Sequence, residues 1–430
     1  MADDMSWRGD GKPDHGYCMI FQGGILMMIT ISDSVRYIGV DDRDIDLFES
    51  QYIVPNGISY NSYLIMDEKV CLMDTVDGRK TGEWEKNLVE ELGGRSVDYL
   101  VINHLEPDHA GSILRAIEMF PDMILVGNAK TFSMLPQFFD IDITGKTLVV
   151  KEGDSLTLGT HTLSFLMAPM VHWPEVMVTY ESSEKILFSA DAFGKFGALD
   201  TDEDWACEAR RYYFNIVGKY GAPVQGLLKK AAALDIAKIC PLHGPILTEN
   251  LEYYVNLYNT WSSYSPENKG VFIAFASIHG NTAKAAEKLA DILREKGEEK
   301  VVVSDLARED IAECVEDAFR YDRMVLAASS YDGGVFLPMH DFLTHLKAKA
   351  YQKRTVGLVE NGSWGPSAVR TMKGLLEQMP GVTVLEQSVT IKSVMKDTDI
   401  PALEALADAI IEAGKLSRKN KEIRYILDIA

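Results

Sequence analysis

The chain of 430 residues carries 43 Lys and Arg against 64 Asp and Glu, a formal net charge of −21 with histidines neutral. That balance excludes a general nucleic-acid binder, which needs clustered cations to meet phosphates. With 47% hydrophobic and 25% charged residues, the composition is globular rather than disordered or membrane-spanning, and at roughly 150 residues per domain it allows two or three domains.

Residues 1–29 read as a loose extension of mixed charge that contains His15, with Met28 a candidate start of the natural product. The most apolar run there, Cys18 to Ile31, is broken by Gln22, Gly23 and Gly24 and is too short to span a bilayer. No secretory cleavage pattern follows it. The cysteines Cys18, Cys71, Cys207, Cys240 and Cys314 are scattered, without a C-x-x-C pair. This excludes a disulfide scaffold and a thiolate zinc ribbon, and suits a reducing cytoplasm.

From residue 52 the alternation predicts a β-hairpin, Tyr52–Val54 turning at Pro55-Asn56-Gly57 into Ser59–Ile65, then a strand Val70–Met73 after the Asp67-Glu68-Lys69 turn. A buried strand, Val97–Ile102, runs into Asn103-His104. Helices are expected near 83–93, 110–118 and 128–136, and strands near 122–126, 146–151, 161–166, 175–181 and 185–190. Such a mixture suits packed sheets flanked by helices. The polar stretch 261–269 reads as a linker. Beyond it, apolar strands at Val271–Ala276, Val301–Val303, Met324–Ala328, Thr355–Val359 and Val382–Leu385 alternate with helical stretches. That is the βαβ rhythm of a doubly wound parallel sheet.

Asn103-His104-Leu105-Glu106-Pro107-Asp108-His109 directly follows a strand. Alternation puts His104, Glu106 and Asp108 on one side of an extended backbone, with His109 beginning the turn into a helix. Four potential ligands in six residues are costly to bury without a metal or hydrogen-bond partners. Three later residues can complete a site: His172, Asp191 and His243 each sit where an apolar strand meets a Gly or Pro turn. His161, His340 and His345 read as surface or packing residues. Four imidazoles and three carboxylates suffice for two metals with one bridging carboxylate. A carboxylate-rich, thiolate-free set favours iron or manganese over zinc.

In this motif the sequence resembles the metallo-β-lactamase superfamily, whose hydrolases carry H-x-H-x-D-H. Glu106 replaces the second histidine, giving the H-x-E-x-D-H of flavodiiron proteins, in which this fold holds non-haem iron. The second domain opens with a strand running into Ser277-Ile278-His279-Gly280-Asn281-Thr282 and an Ala-rich helix. Hydroxyls and free N–H groups at a helix N-terminus suit a phosphate. Neither a Walker A loop nor G-x-G-x-x-G is present. The later loops Ser329-Ser330-Tyr331-Asp332-Gly333-Gly334 and Asn361-Gly362-Ser363-Trp364-Gly365 also follow strands, at the crevice edge of an open sheet. This half resembles flavodoxin, with the first loop matching its phosphate loop, the other two its isoalloxazine loops, and Trp364 the expected stacking residue.

The ordered pair resembles the flavodiiron family over residues 30 to about 415. That resemblance implies an N-terminal αββα metallo-β-lactamase-like sandwich at 30–262 and a C-terminal flavodoxin-like domain at 270–415, followed by a basic segment at 416–430. It implies FMN and two irons per chain. His104, Glu106 and His172 would bind one iron, Asp108, His109 and His243 the other, and Asp191 would bridge them. The implied reaction reduces dioxygen to water, nitric oxide to nitrous oxide, or both. It further implies a head-to-tail homodimer or dimer of dimers, fed by a separate donor such as rubredoxin or reduced deazaflavin. The Phe48-Glu49 segment is expected near the substrate pocket. Lys415, Arg418, Lys419, Lys421 and Arg424 form a basic patch able to steer an acidic donor. The rival readings are a zinc hydrolase fused to a flavodoxin-like domain and a non-enzymatic electron carrier.

Overall fold

The computed structural model describes residues 31–429, with side chains from 31 to 416. The expected extension, with His15 and Cys18, lies outside the described residues. So do the side chains of the basic cluster beyond Lys415. Among the described residues no helix is long and apolar enough to cross a membrane.

Two sheets lie face to face in the first half. One has the strand order Val35–Tyr37, Tyr63–Ile65, Cys71–Met73, Tyr99–Val101, Ile124–Asn128, Thr147–Val150. The other runs Ser155–Thr157, Thr162–Met167, Met177–Glu181, Ile186–Phe188, Lys238–Cys240. Tyr63, Ile65, Cys71, Met73 and Val101 of the first sheet pack onto Phe165, Met177, Ile186, Phe188 and Cys240 of the second. The intervening residues Leu64, Leu72, Leu100 and Leu125 point the other way, onto Trp84 and Leu88 of the helix Thr81–Leu92 and Ile113 of the helix Ile113–Met119. With both faces covered, these strands read as continuous apolar runs rather than alternating ones.

The expected hairpin around Pro55-Asn56-Gly57 does not form. Tyr52–Ile53 pairs back with Leu47–Phe48, while Ile58–Tyr60 pairs with Val40–Asp42. The turn redirects the chain instead of closing it. Gly57, at φ 69°, lies so close to the Asp42 carbonyl that a Cβ would come within 2.3 Å of its oxygen. Strand alternation was legible there, but each strand pairs with an earlier segment of the chain rather than with the other.

The second half has five parallel strands in the order Val301–Asp305, Asn268–Ala276, Tyr321–Tyr331, Thr355–Asn361, Thr383–Ile391. This is the 2-1-3-4-5 order of flavodoxin, which opens a crevice beyond the carboxyl ends of its first and third strands. The helices Asn281–Glu295 and Ile400–Ile429 cover one face through Leu289, Leu403 and Leu406. The other face, covered by the helix Ile311–Arg320 among others, belongs to an apolar cluster continuous with the first half. At the junction Phe214 stacks on Phe319 with ring centroids 4.2 Å apart. The stretch expected as a linker is mostly ordered into neighbouring elements. A helix runs through Ser262 with Trp261 buried, and a strand begins at Asn268.

Candidate metal centre

The motif loop is held from behind before it reaches any metal position. Asp74, at the end of the strand Cys71–Met73, accepts hydrogen bonds from Asn103 N and Asn103 Nδ2, both 2.7 Å, and from His104 N at 3.3 Å. Burial raises the Asp74 pKa to about 6 against these hydrogen bonds. Thr179 from the opposite sheet donates to Asn103 Oδ1 at 2.7 Å, so the loop is tied to both sheets. A short helix then starts at Pro107, where a missing N–H costs nothing.

That helix corrects one expectation. Asp108 does not continue an extended strand beside His104 and Glu106. The helical turn at Pro107 carries it round to join His109. The structure brings all seven predicted residues together as two groups, His104, Glu106, His172 and Asp191 in one and Asp108, His109 and His243 in the other. Within each group the potential ligand atoms lie within 4.8 Å of one another. Asp191 spans the two. Its Oδ2 is 3.0 Å from His172 Nε2 and 3.3 Å from His104 Nε2, whereas Oδ1 is 3.2 Å from His109 Nε2. Glu106 Oε2 lies 3.0 Å from His172 Nε2, and Asp108 Oδ2 lies 3.2 Å from His243 Nε2.

The electrostatics call for cations. Burial opposes charge on His172, yet the carboxylates of Asp191 and Glu106, each 3.0 Å from Nε2, outweigh it and lift its pKa to about 9. His104 is raised as well, with burial overcome by the Asp191 charge and by hydrogen bonds. Asp191 goes the other way, held well below the usual carboxylate range by the imidazoles despite its burial. Both oxygens of Asp108, both of Asp191, Nδ1 of His109 and Nε2 of His172 are buried without a hydrogen-bond partner. Such orphaned groups are expensive unless a metal takes them up. With neutral imidazoles the three carboxylates suit two divalent ions.

Several contributing residues were not singled out by the sequence. Glu175 Oε1 sits 2.8 Å from His104 Nδ1 and accepts from Leu105 N at 2.9 Å. It orients the imidazole so that Nε2 faces the pocket. Its only sequence signal was a glutamate next to the buried strand Met177–Glu181. Tyr212, at the end of the helix Trp205–Tyr212, places its ring 5.5 Å from that of His243. Burial and the charges of Asp191, Asp108 and Glu106 push its pKa up, so its hydroxyl stays protonated. The Phe48-Glu49 segment does reach the site. Phe48 meets His243 edge-on at 5.4 Å. Glu49 lies at the rim, where burial of its carboxyl and the Glu106 charge raise its pKa to about 7. His161 packs elsewhere, between Asp67 and Glu184.

The three loops of the second half meet beyond the carboxyl ends of their strands. Thr282 Oγ1 and Ser329 Oγ are 2.9 Å apart, joining the first loop to the second. Ser330 Oγ accepts from Ser367 N at 2.9 Å, and Asn361 bonds Ser393 in both directions, Nδ2 to its carbonyl at 2.8 Å and Oδ1 from its N–H at 3.0 Å. Ser277 Oγ is buried without a partner, and Gly280 adopts φ 81° with open space around it. An unpaired hydroxyl and a left-handed glycine at a helix N-terminus suit a phosphate. Ile278, Tyr331 and Trp364 stand exposed around this crevice, Trp364 at 98%.

Comparison with known proteins agrees with this architecture. Residues 58–244 match the ODP family beta lactamase profile, and residues 272–393 match a flavodoxin domain. The anaerobic nitric oxide reductase flavorubredoxin of Vibrio vulnificus is 31% identical, over 80% of this chain and 72% of that protein. Among solved structures, rubredoxin oxygen:oxidoreductase from Desulfovibrio gigas superposes with a TM-score of 0.84 at 27% identity, covering 90% of this chain and 98% of that one. A flavo di-iron protein mutant from Thermotoga maritima gives 0.81 at 25%, covering 88% and 96%. The molecule is thus a metallo-β-lactamase-like domain joined to a flavodoxin domain, an oxidoreductase of the flavoprotein class rather than a hydrolase with an appendage. More narrowly, the chain belongs to the flavodiiron protein family.

Proposed function

We propose that this protein reduces dioxygen to water, nitric oxide to nitrous oxide, or both, at a non-haem diiron site supplied with electrons through FMN. The observation that carries the reading is the placement of Asp191, with one carboxylate oxygen towards each of two ligand groups. Such an arrangement suits two metal ions sharing a bridge. His104, Glu106 and His172 would hold one iron, and Asp108, His109 and His243 the other. The carboxylates Glu106, Asp108 and Asp191 and the absence of any cysteine from the two groups favour iron over zinc.

Bound there, two ferrous ions and FMN would supply the redox chemistry, the two ligand groups holding the irons and the three loops of the second half holding the flavin. The chain's own residues do the rest. Glu175 and the Ser59 carbonyl, 2.7 Å from His243 Nδ1, fix two imidazoles in orientation. Phe48, Trp173 and Tyr212 wall the site with aromatic surface and exclude water. Tyr212 also keeps its hydroxyl protonated, through burial and the nearby carboxylate charges. The loops Ser277–Thr282, Ser329–Gly334 and Asn361–Gly365 would cradle FMN, and the 98% exposure of Trp364 in a single chain leaves its face free for a flavin or a second subunit.

A head-to-tail homodimer and a separate donor such as rubredoxin, working in the cytoplasm, complete the proposal. Two of the relatives named above support the gases and the donor, one called an anaerobic nitric oxide reductase and the other a rubredoxin oxygen:oxidoreductase. An anaerobic assay of the reduced protein with each gas in turn, using rubredoxin as donor, tests it. Consumption of at least one gas is expected; consumption of neither overturns it.

A further inference from the structure

The helix Trp205–Tyr212 delivers Tyr212 to the metal pocket. The Ile53 carbonyl and Glu208 hold Arg211 from its own half, while several of the helix's anchors lie in the flavodoxin half of the same chain or just before its first strand. Two consecutive buried arginines, Arg210 and Arg211, leave this helix towards that half. Arg210 forks onto Glu267, with both bonds 2.7 Å, and reaches Glu316 at 3.2 Å. Arg211 bonds Asp310 at 2.5 Å and meets Glu313 at 3.1 Å, both at the start of the helix Ile311–Arg320. One turn later Asn215 Nδ2 donates to the Ala312 carbonyl at 3.1 Å, and Lys349 Nζ donates to the Asn215 carbonyl. Three successive groups of one segment are thus gripped by the other domain.

A chain of ring contacts leads from that grip to the metal ligands. The Arg211 guanidinium lies 4.9 Å from the centre of the Phe196 ring. Phe196 packs edge-on against Tyr212 at 5.2 Å and against Phe48 at 5.6 Å. Tyr212 and Phe48 in turn contact the His243 ring at 5.5 and 5.4 Å. Flexible arginines immobilised by ion pairs in a buried setting fix geometry more than they add stability. Ion pairs made purely for strength would not need to fall on the two residues preceding Tyr212.

We infer that the flavodoxin half braces the metal pocket of its own chain: Arg211, gripped by Asp310 and Glu313, is a positioning residue that sets Tyr212 against His243. This role is separate from carrying flavin, and it rests on the gas-reducing function proposed above. It makes the two domains of one chain interdependent even if electrons arrive from elsewhere.

The test uses the full-length holoprotein with Asp310→Asn and Glu313→Gln together, far from the metal ligands, Asn preserving the helix cap on Ala312 N. The triple variant Arg211→Met, Asp310→Asn, Glu313→Gln serves as a second variant that removes the cation together with both of its flavodoxin-half anions. Each is made with Tyr212 intact and with Tyr212→Phe. Iron and flavin contents should stay at wild-type levels, and amide hydrogen exchange over residues 205–217 should accelerate at least about tenfold. The gas turnover kcat should fall about tenfold with KM little changed, and that fall should vanish in the Tyr212→Phe background. An unchanged kcat, a fall equally large in both backgrounds, or loss of iron from both variants overturns the inference. If the wild type reduces neither gas, the functional reading fails on its own. The exchange experiment then decides the inference, and unaltered protection of residues 205–217 overturns it.

Discussion

Glu175 Oε1 lies 2.8 Å from Nδ1 of His104, and both side chains are fully buried. A carboxylate behind an imidazole fixes which ring nitrogen is free and raises its basicity towards a metal. Replacing Glu175 with Gln keeps the shape and removes the charge. The variant is expected to hold metal roughly 10–100-fold more weakly with flavin binding unaltered. Competition against a graded series of chelators, with flavin absorbance followed in parallel, checks this. Undiminished metal retention would contradict the role given to Glu175.

Asp191→Ala removes the only carboxylate among the described residues that faces both ligand groups. The expected outcome is loss of both irons and of gas reduction, with FMN retained in the other domain. Iron and flavin are measured per chain on the same anaerobic sample. Flavin loss alongside iron loss would contradict the division of labour between the domains.

At the other site, Ser277→Ala takes away an unpaired buried hydroxyl, and Thr282→Val breaks the contact to Ser329. A lost hydrogen bond of about 1–1.5 kcal/mol corresponds to roughly tenfold weaker binding. FMN dissociation constants from fluorescence recovery should rise by about that factor for each variant while iron stays bound. Unaltered FMN affinity in both variants would mean that the phosphate lies elsewhere.

A pH dependence is expected away from both sites. His161 donates from Nδ1 to Asp67 at 2.8 Å and meets Glu184 at 3.3 Å from Nε2, with Lys238 3.9 Å from Glu184. Burial works against its charge, but the hydrogen bonds that it donates to Asp67 and Glu184 win and raise its pKa. Burial likewise opposes the Asp67 charge, and hydrogen bonds from His161 lower its pKa overall. The histidine's share of stability is therefore complete below its unfolded value of about 6.5 and fades as pH rises through the folded value. The aspartate's share is complete above about 3.9 and fades as pH falls through its folded value. His161→Gln, neutral at every pH, should cost on the order of 2 kcal/mol near pH 5.5 and markedly less near pH 9.5. Denaturant midpoints of wild type and variant at the two pH values test the sign, and a gap that widens with pH would contradict it.

The sequence exposed the candidate metal ligands because chemistry-bearing residues were crowded at strand ends: His104, Glu106, Asp108 and His109 in one loop, and His172, Asp191 and His243 each before a Gly or Pro. The βαβ rhythm of the second half was legible because parallel strands covered on both faces are apolar throughout. What escaped was non-local. Nothing near Ser59 announces that it pairs with Asp41, nor near Glu175 that its partner is a histidine 71 residues earlier. Tyr212 looks like one aromatic among several, and becomes significant only once the helix bearing it is seen against His243. The helical turn at Pro107 likewise carries Asp108 away from His104 and Glu106, a change of backbone direction that strand alternation does not reveal, although the family resemblance already implied its place with His109 and His243.

The most direct measurement is the metal itself. Crystals of anaerobically prepared protein, scanned across the iron and zinc absorption edges, should give two iron anomalous peaks per chain, one within the His104, Glu106 and His172 group and one within the Asp108, His109 and His243 group, with Asp191 between. Two zinc peaks and no iron at those positions would contradict the account and return the protein to the hydrolases.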